Sequence, residues 1–195
     1  KNIIGLWLVQ EYRRSLQRLG EDLDYSQLTT AAAGSVPFRT ILDPDHEPFM
    51  QPGGMLEKIV EYAEQTRQPV PEDPGQFVRC CLETLALTYL RTFNKLQSVT
   101  NRQYDVLHIV GGGGKNELLC QFTADALNRR VVVGPVEATA AGNILTQAMG
   151  AGDVNDLDHI RRIVSASFDL KTYQPADTSG WDDAYQRYLK LRGER

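Results

Sequence analysis

Apolar residues at Ile4, Leu8, Tyr12, Leu16 and Leu19 recur at helical spacing, and Gly20 supplies a stop, so the chain opens on a helix. Asp24 is placed to cap a second, short helix through "SQLTTAAAG". The proline-rich stretch "VPFRTILDPDHEPFMQPGG" reads as loop with one brief extended piece. Met55, Leu56, Ile59, Val60 and Ala63 then mark another short helix, ended by "QPVPEDP". The longest periodic segment is "DPGQFVRCCLETLALTYLRTFNKL". Phe77, Cys81, Leu85 and Tyr89 line one face, and Leu82, Ala86 and Phe93 widen it, so this helix is expected to be largely buried. Asp73 is its N-cap, Pro74 suits the first helical position, and Gln76 completes a capping-box pattern.

After this helix the period changes. "DVLHIV" is a short β-rich run, four glycines follow, and "KNELLCQFTADAL" is helical. "RRVVVG" is a second short strand, and "PVEATAAGNILTQAMGAG" is a helix of small residues with Pro135 near its start. Strand, helix, strand, helix at this spacing predicts a parallel α/β unit. "DLDHIRRIVS" and "SGWDDAYQRYLKLR" add two further helices, joined by the extended "SFDLKTYQP". The segment "KNIIGLWLVQ" begins inside a periodic pattern with neither a methionine nor a signal peptide, as expected for a piece of a longer protein.

Composition changes this picture little: of 195 residues, 42% are hydrophobic and 24% charged, as in an ordinary globular chain. The net charge of −4, with no basic block, argues against a nucleic-acid partner. Apolar runs fall short of the roughly 18 residues a membrane helix needs. Cys80, Cys81 and Cys120 have no C-x-x-C spacing and read as reduced, buried thiols of a cytoplasmic protein. His46, His108 and His159 are too scattered to suggest a zinc site.

The chemistry concentrates in "HIVGGGGKNELLCQFTAD", residues 108–125. Consecutive glycines between a strand's carboxyl end and a helix's amino end allow close approach of a ligand, at the place where open α/β sheets bind nucleotides. A ligand-free turn satisfies the same residues. A P-loop is excluded, because Asn116 follows Gly114-Lys115 where a hydroxyl is required and Ile109 holds the first glycine position. A dinucleotide fingerprint is excluded as well: counted from Gly111 or Gly112, its last glycine falls on Asn116 or Glu117.

What remains is strand–GGG-x-x-N–helix followed by strand–GPVEATAAGN–helix, which resembles the carboxy-terminal half of the FGGY carbohydrate kinases, a branch of the actin-like ATPase superfamily. "KNIIGLWLVQE" at 1–11, "VGGGGKNELLCQFTADAL" at 110–127 and "GPVEATAAGNILTQ" at 134–147 carry the likeness, and within the family they resemble the members that act on L-rhamnulose. The resemblance implies an α/β fold of the actin-like (ribonuclease H-like) kind, with short parallel strands among helices and its N-terminal strands missing. Residues 1–195 would be one partial carboxy-terminal, ATP-binding domain, and an absent N-terminal domain would supply the catalytic aspartate and phosphate loop. ATP, Mg2+ and L-rhamnulose are the implied ligands, with a related sugar such as L-fuculose, or a non-catalytic nucleotide-sensing module, as alternatives.

The resemblance places Asn2 against the sugar, and Gln10, Gly111, Gly112, Gly113 and Asn116 against ATP. By pattern alone, Asn2 is an exposed terminal residue, Gln10 a polar helix position and Asn116 a helix cap. Lys115 reads as a solvated lysine, and Glu137 as an acid favoured by a helix macrodipole. Ala138, Ala140, Ala141 and Gly142 form a small-residue face expected to pack closely on a neighbour. Asp43 and Asp45 read as loop residues rather than an acid–base pair.

Overall fold

The computed structural model describes residue 3 and residues 5–194, and Asn2 lies outside them. Helix α1 (Trp7–Arg18) buries Leu8, Tyr12 and Leu16, as the period predicts, with Val9 beside them, and Ile4 lies outside the described residues. The expected stripe stops one turn early. Leu19 is 64% exposed, because the helix ends at Arg18 and the chain reverses through Gly20 at φ +88°. Helix α2 (Tyr25–Gly34) starts on a full capping box: Asp24 Oδ1 accepts the Gln27 N–H at 2.8 Å, and Gln27 Oε1 accepts the Asp24 N–H at 2.8 Å. The 36–54 stretch is loop, as expected, but its one regular piece is a 3-10 turn, Glu47–Met50, rather than an extended segment.

Helix α3 (Met55–Gln65) is seated by two buried polar groups of α1. Glu11 accepts the Gly53 N–H at 2.7 Å, and Ser15 Oγ accepts the Met55 N–H at 3.1 Å. Burial pushes the Glu11 carboxyl up, but the Gly53 N–H and the Arg14 guanidinium outweigh it and hold the group below its ordinary value. Helix α4 (Pro74–Thr100) is the buried spine, and α2 packs along its first half. Gly75 makes that packing possible, since a Cβ there would lie 2.6 Å from the Ala31 carbonyl oxygen. Its cap departs from the expected box. Asp73 accepts the Gln76 N–H at 2.9 Å, but Gln76 Oε1 accepts from the Glu72 N–H instead of from Asp73.

Strands β1 (Val106–Ile109) and β2 (Arg130–Val133) pair in parallel around α5 (Glu117–Leu127), with Val106 opposite Arg130 and Ile109 opposite Val133. The joining segment forms a third strand, β3 (Lys171–Tyr173), antiparallel to β2, so the sheet of order β1-β2-β3 is mixed rather than purely parallel. Cys120, Ala124, Val131 and Val133 form a small second core between α5 and the sheet.

The small-residue helix corrects an expectation. In α6 (Ala138–Ala151) no residue is buried, and a Cβ on Gly142 would meet nothing within 4 Å. Its main neighbour is α7 (Leu157–Ser167), which is itself unburied, and alanine and glycine offer little apolar area to draw the two inward. Helix α8 (Trp181–Leu191) returns to the core, where the Tyr188 and Thr88 hydroxyls lie 3.0 Å apart. Asp43 and Asp45 both pair with Arg192 beyond α8, in keeping with a structural role. No described helix is long and apolar enough to cross a membrane.

Candidate nucleotide cleft

The glycine run does two different jobs. Gly111 sits at φ +80°, a conformation that favours glycine, and its N–H donates to the Pro135 carbonyl at 3.2 Å. The Gly134 N–H donates to the Ile109 carbonyl at 2.7 Å, so the carboxyl ends of β1 and β2 are tied together just where the loop departs. Residues Gly112–Lys115 then form a 3-10 turn. Gly114 is buried beneath it, and a Cβ there would lie only 2.4 Å from Val133 Cγ1. Gly112 and Gly113 are exposed, with nothing within 4 Å of either Cβ position. The inner glycine seats the loop, and the outer pair leaves an open backbone surface.

That surface borders a cleft of about 630 Å3 between the glycine turn, α1 and α2. Gln10, Gly112 and Asn116 meet in it, although more than a hundred residues separate the first from the other two. Gly111 instead faces a second cavity of about 400 Å3 on the other side of the loop, lined also by Pro135, Phe168 and Lys171. Gly113 lies exposed on the turn between its neighbours. Lys115 and Glu117 border both spaces, and Glu117 is paired with Lys171.

Asn116 is the N-cap of α5: its Oδ1 accepts the Leu119 N–H at 2.9 Å. The cap reading therefore holds, and it leaves the amide NH2 of this cleft-lining residue free of the capping bond. Cys120 tethers the turn from below through an Sγ contact to the Gly114 carbonyl at 3.7 Å. Burial, with Glu117 adding to it, pushes this thiol up to about 11, which makes it a packing group rather than a nucleophile. Glu137 precedes α6 without a side-chain capping bond.

The opposite wall is the part that sequence reasoning missed. Helix α2 presents Tyr25, Ser26, Thr29 and Thr30 to the cleft while Leu28 and Ala32 point into the core. The signal available was the placement of aromatic and hydroxyl residues at i, i+1, i+4 and i+5, opposite the buried pair. Leu6 and Val9 of the α1 segment add an apolar edge. The cleft thus offers an open glycine backbone, two amide side chains, three aliphatic hydroxyls and one phenol ring. Planar, polar-edged ligands suit such a lining. Among the described residues no group of three or more His, Cys, Asp or Glu is arranged to hold a metal.

Solved structures of other proteins share this architecture. Over 95% of its length the chain superposes on part of the glycerol kinase of Plasmodium falciparum, solved with ADP, with a TM-score of 0.67 at 18% identity, and covers 36% of that chain. It matches the xylulose kinase of Rhodospirillum rubrum with a TM-score of 0.66 at 18% identity, over 96% of this chain and 37% of that one. At such identities the likeness establishes the fold, an actin-like α/β domain. Residues 1–151 match the FGGY family of carbohydrate kinases, C-terminal domain, and the chain belongs to that family. Similar curated proteins are the rhamnulokinase of Bacteroides thetaiotaomicron, 44% identical over 95% of this chain, and that of Bacillus subtilis, 37% identical over 91%. The chain spans 37% and 36% of the lengths of these two relatives.

Proposed function

We propose that this chain is the ATP-binding domain of a longer kinase that transfers the γ-phosphoryl of ATP to the 1-hydroxyl of L-rhamnulose. The observation that carries the reading is the meeting of Gln10, Gly112 and Asn116 in one cleft at the carboxyl end of a parallel strand pair. The substrate comes from the names of the similar proteins, rhamnulokinases at 33–44% identity.

In this reading the exposed Gly112 backbone lies against the adenosine, and the amides of Gln10 and Asn116 hydrogen-bond its polar edges. Asn2 would reach the sugar, a role that rests on resemblance alone. An aspartate of the N-terminal domain would accept the proton of the attacking hydroxyl, and closure of the two domains would exclude water. Mg2+ is held in such sites chiefly by phosphates and waters with one or two carboxylates, so this domain needs no metal cage of its own. Free buried thiols at Cys80, Cys81 and Cys120 suit the reducing cytoplasm in which we place the enzyme.

The test is ADP release by the full-length protein with L-rhamnulose, L-fuculose, D-xylulose and glycerol as competing acceptors. Highest kcat/KM on L-rhamnulose is expected. Preference for another acceptor would keep the kinase and change its substrate; ATP binding with no turnover of any acceptor would replace it by a nucleotide-sensing module. Gly112→Val should raise the KM for ATP at least about tenfold, about 1.4 kcal/mol, with the fold intact, because a Cβ at this position would meet nothing within 4 Å. An unchanged KM for ATP would remove the adenosine from this loop.

A further inference from the structure

Tyr25 is the one aromatic residue among the described residues that line the cleft. The residue is 49% exposed, yet its backbone is fixed by two contacts and its ring is faced by a third. The Asp24–Gln27 capping box fixes the start of α2, with Tyr25 as its first helical residue. Thr29 Oγ1 donates to the Tyr25 carbonyl at 2.7 Å and braces the first turn. Arg13 lies with its guanidinium carbon 5.0 Å from the ring centroid, held there by Nε to the Leu23 carbonyl at 2.7 Å and Nη2 to Asp22 Oδ1 at 3.2 Å. A cation so placed draws on the ring's quadrupole and favours one orientation of it.

A flat apolar surface, biased towards one orientation before any ligand arrives and left half uncovered in a polar cleft, is what a heterocyclic base needs from a protein. The hydroxyls of Ser26, Thr29 and Thr30 can address the edge of a base but not its face. Leu6 and Val9 have no π surface. On the reading that this cleft takes ATP, we propose that Tyr25 is the platform on which the purine ring stacks, with Arg13 as the residue that positions the platform. Stacking reads the face of a base, which all purines share, so Tyr25 contributes affinity without choosing between adenine and guanine.

The test uses the full-length protein and separates stacking from packing. Tyr25→Ala should raise the KM for ATP about 10- to 100-fold and leave kcat and the sugar KM near their wild-type values. Tyr25→Phe should stay within about twofold, since the ring face is kept. Tyr25→Leu fills similar space without a π face and should behave as Tyr25→Ala. The factor lost in Tyr25→Ala should be the same with GTP as with ATP. Full activity in Tyr25→Leu would overturn the proposal in favour of simple apolar packing, and an unaltered KM for ATP in Tyr25→Ala would overturn it outright. Gly112→Val separates the two levels of inference: if it weakens ATP binding while Tyr25→Ala does not, the platform alone is wrong. If neither variant affects ATP, the cleft itself has been misread.

Discussion

Replacing Arg79 with alanine is expected to destabilise the domain by about 3–5 kcal/mol at pH 8, and by much less at pH 5.5. Arg79 and Glu83 stand one turn apart on α4 and are joined by an Nε–Oε1 bond of 2.6 Å. Glu83 is 1% exposed, and its second oxygen accepts the Phe38 N–H at 2.9 Å. Arg79 also donates to the Ala32 and Ala33 carbonyls at 3.0 and 3.1 Å, closing the C-terminal end of α2. Removing the guanidinium strands a buried carboxylate and frees the end of the helix that forms the cleft's wall. The pH dependence follows from the carboxyl itself. Burial pushes Glu83 up from an ordinary 4.5 to about 7, against the pull of Arg79 and of the Phe38 N–H.

A carboxyl whose folded value lies above its unfolded one contributes stability that is complete below about 4.5 and is lost as pH rises through about 7. Without Arg79 the pull downward disappears, so the neutral form persists to higher pH and the penalty grows on the alkaline side. Native-state hydrogen exchange of α2 and α4 amides at pH 5.5 and 8, in the full-length protein, measures both. Glu83→Gln should flatten the pH dependence over that window. An equal loss from Arg79→Ala at the two pH values would show that the cost is lost packing and capping, not a stranded charge.

This pair also marks a boundary of what the sequence discloses. The i, i+4 spacing of Arg79 and Glu83 allows an ion pair on the helix but does not tell whether that pair is solvated or covered. They are buried because α2 and the loop carrying Phe38 come to rest on that face, a long-range event with no local signature. The helices were legible because Phe77, Cys81 and Leu85 repeat at helical spacing, and because Asp24 and Asp73 announce where two of them begin. The strand–glycine–helix unit was legible for a similar reason, since four β-rich residues precede the turn. Gln10 could be placed beside Gly112 and Asn116 only through resemblance, because no periodicity relates residue 10 to residue 112. The wall of Tyr25, Ser26 and Thr30 escaped because hydroxyls on a helix look solvated. The alanines of α6 misled because small residues permit close packing without compelling it.

Gly114→Val tests the division of labour inside the glycine run, and it should be more damaging than the same change at Gly112. Even an alanine Cβ at 114 would fall 2.4 Å from Val133 Cγ1, closer than non-bonded carbons can approach. Val133 is the last residue of β2, almost fully buried, and β-branched, so it has little rotamer freedom with which to yield. The turn must therefore lift from the sheet, breaking the Gly114 N–H bond to Gly111 and the Asn116 N–H bond to Gly113. Overpacking of this kind costs about 3 kcal/mol, and the lifted turn would carry Gly112 out of the cleft. The expected result is a destabilised domain together with a KM for ATP raised more than about tenfold, about 1.4 kcal/mol or more. Gly112→Val should instead alter the KM alone. Pairing Gly114→Val with Val133→Ala offers the decisive comparison. Trimming the valine removes the atom in conflict and should restore part of both stability and ATP affinity, as coupling between touching residues requires. Failure of that rescue would place the defect in the turn's own backbone, and the seat that β2 provides would no longer explain why glycine stands at 114.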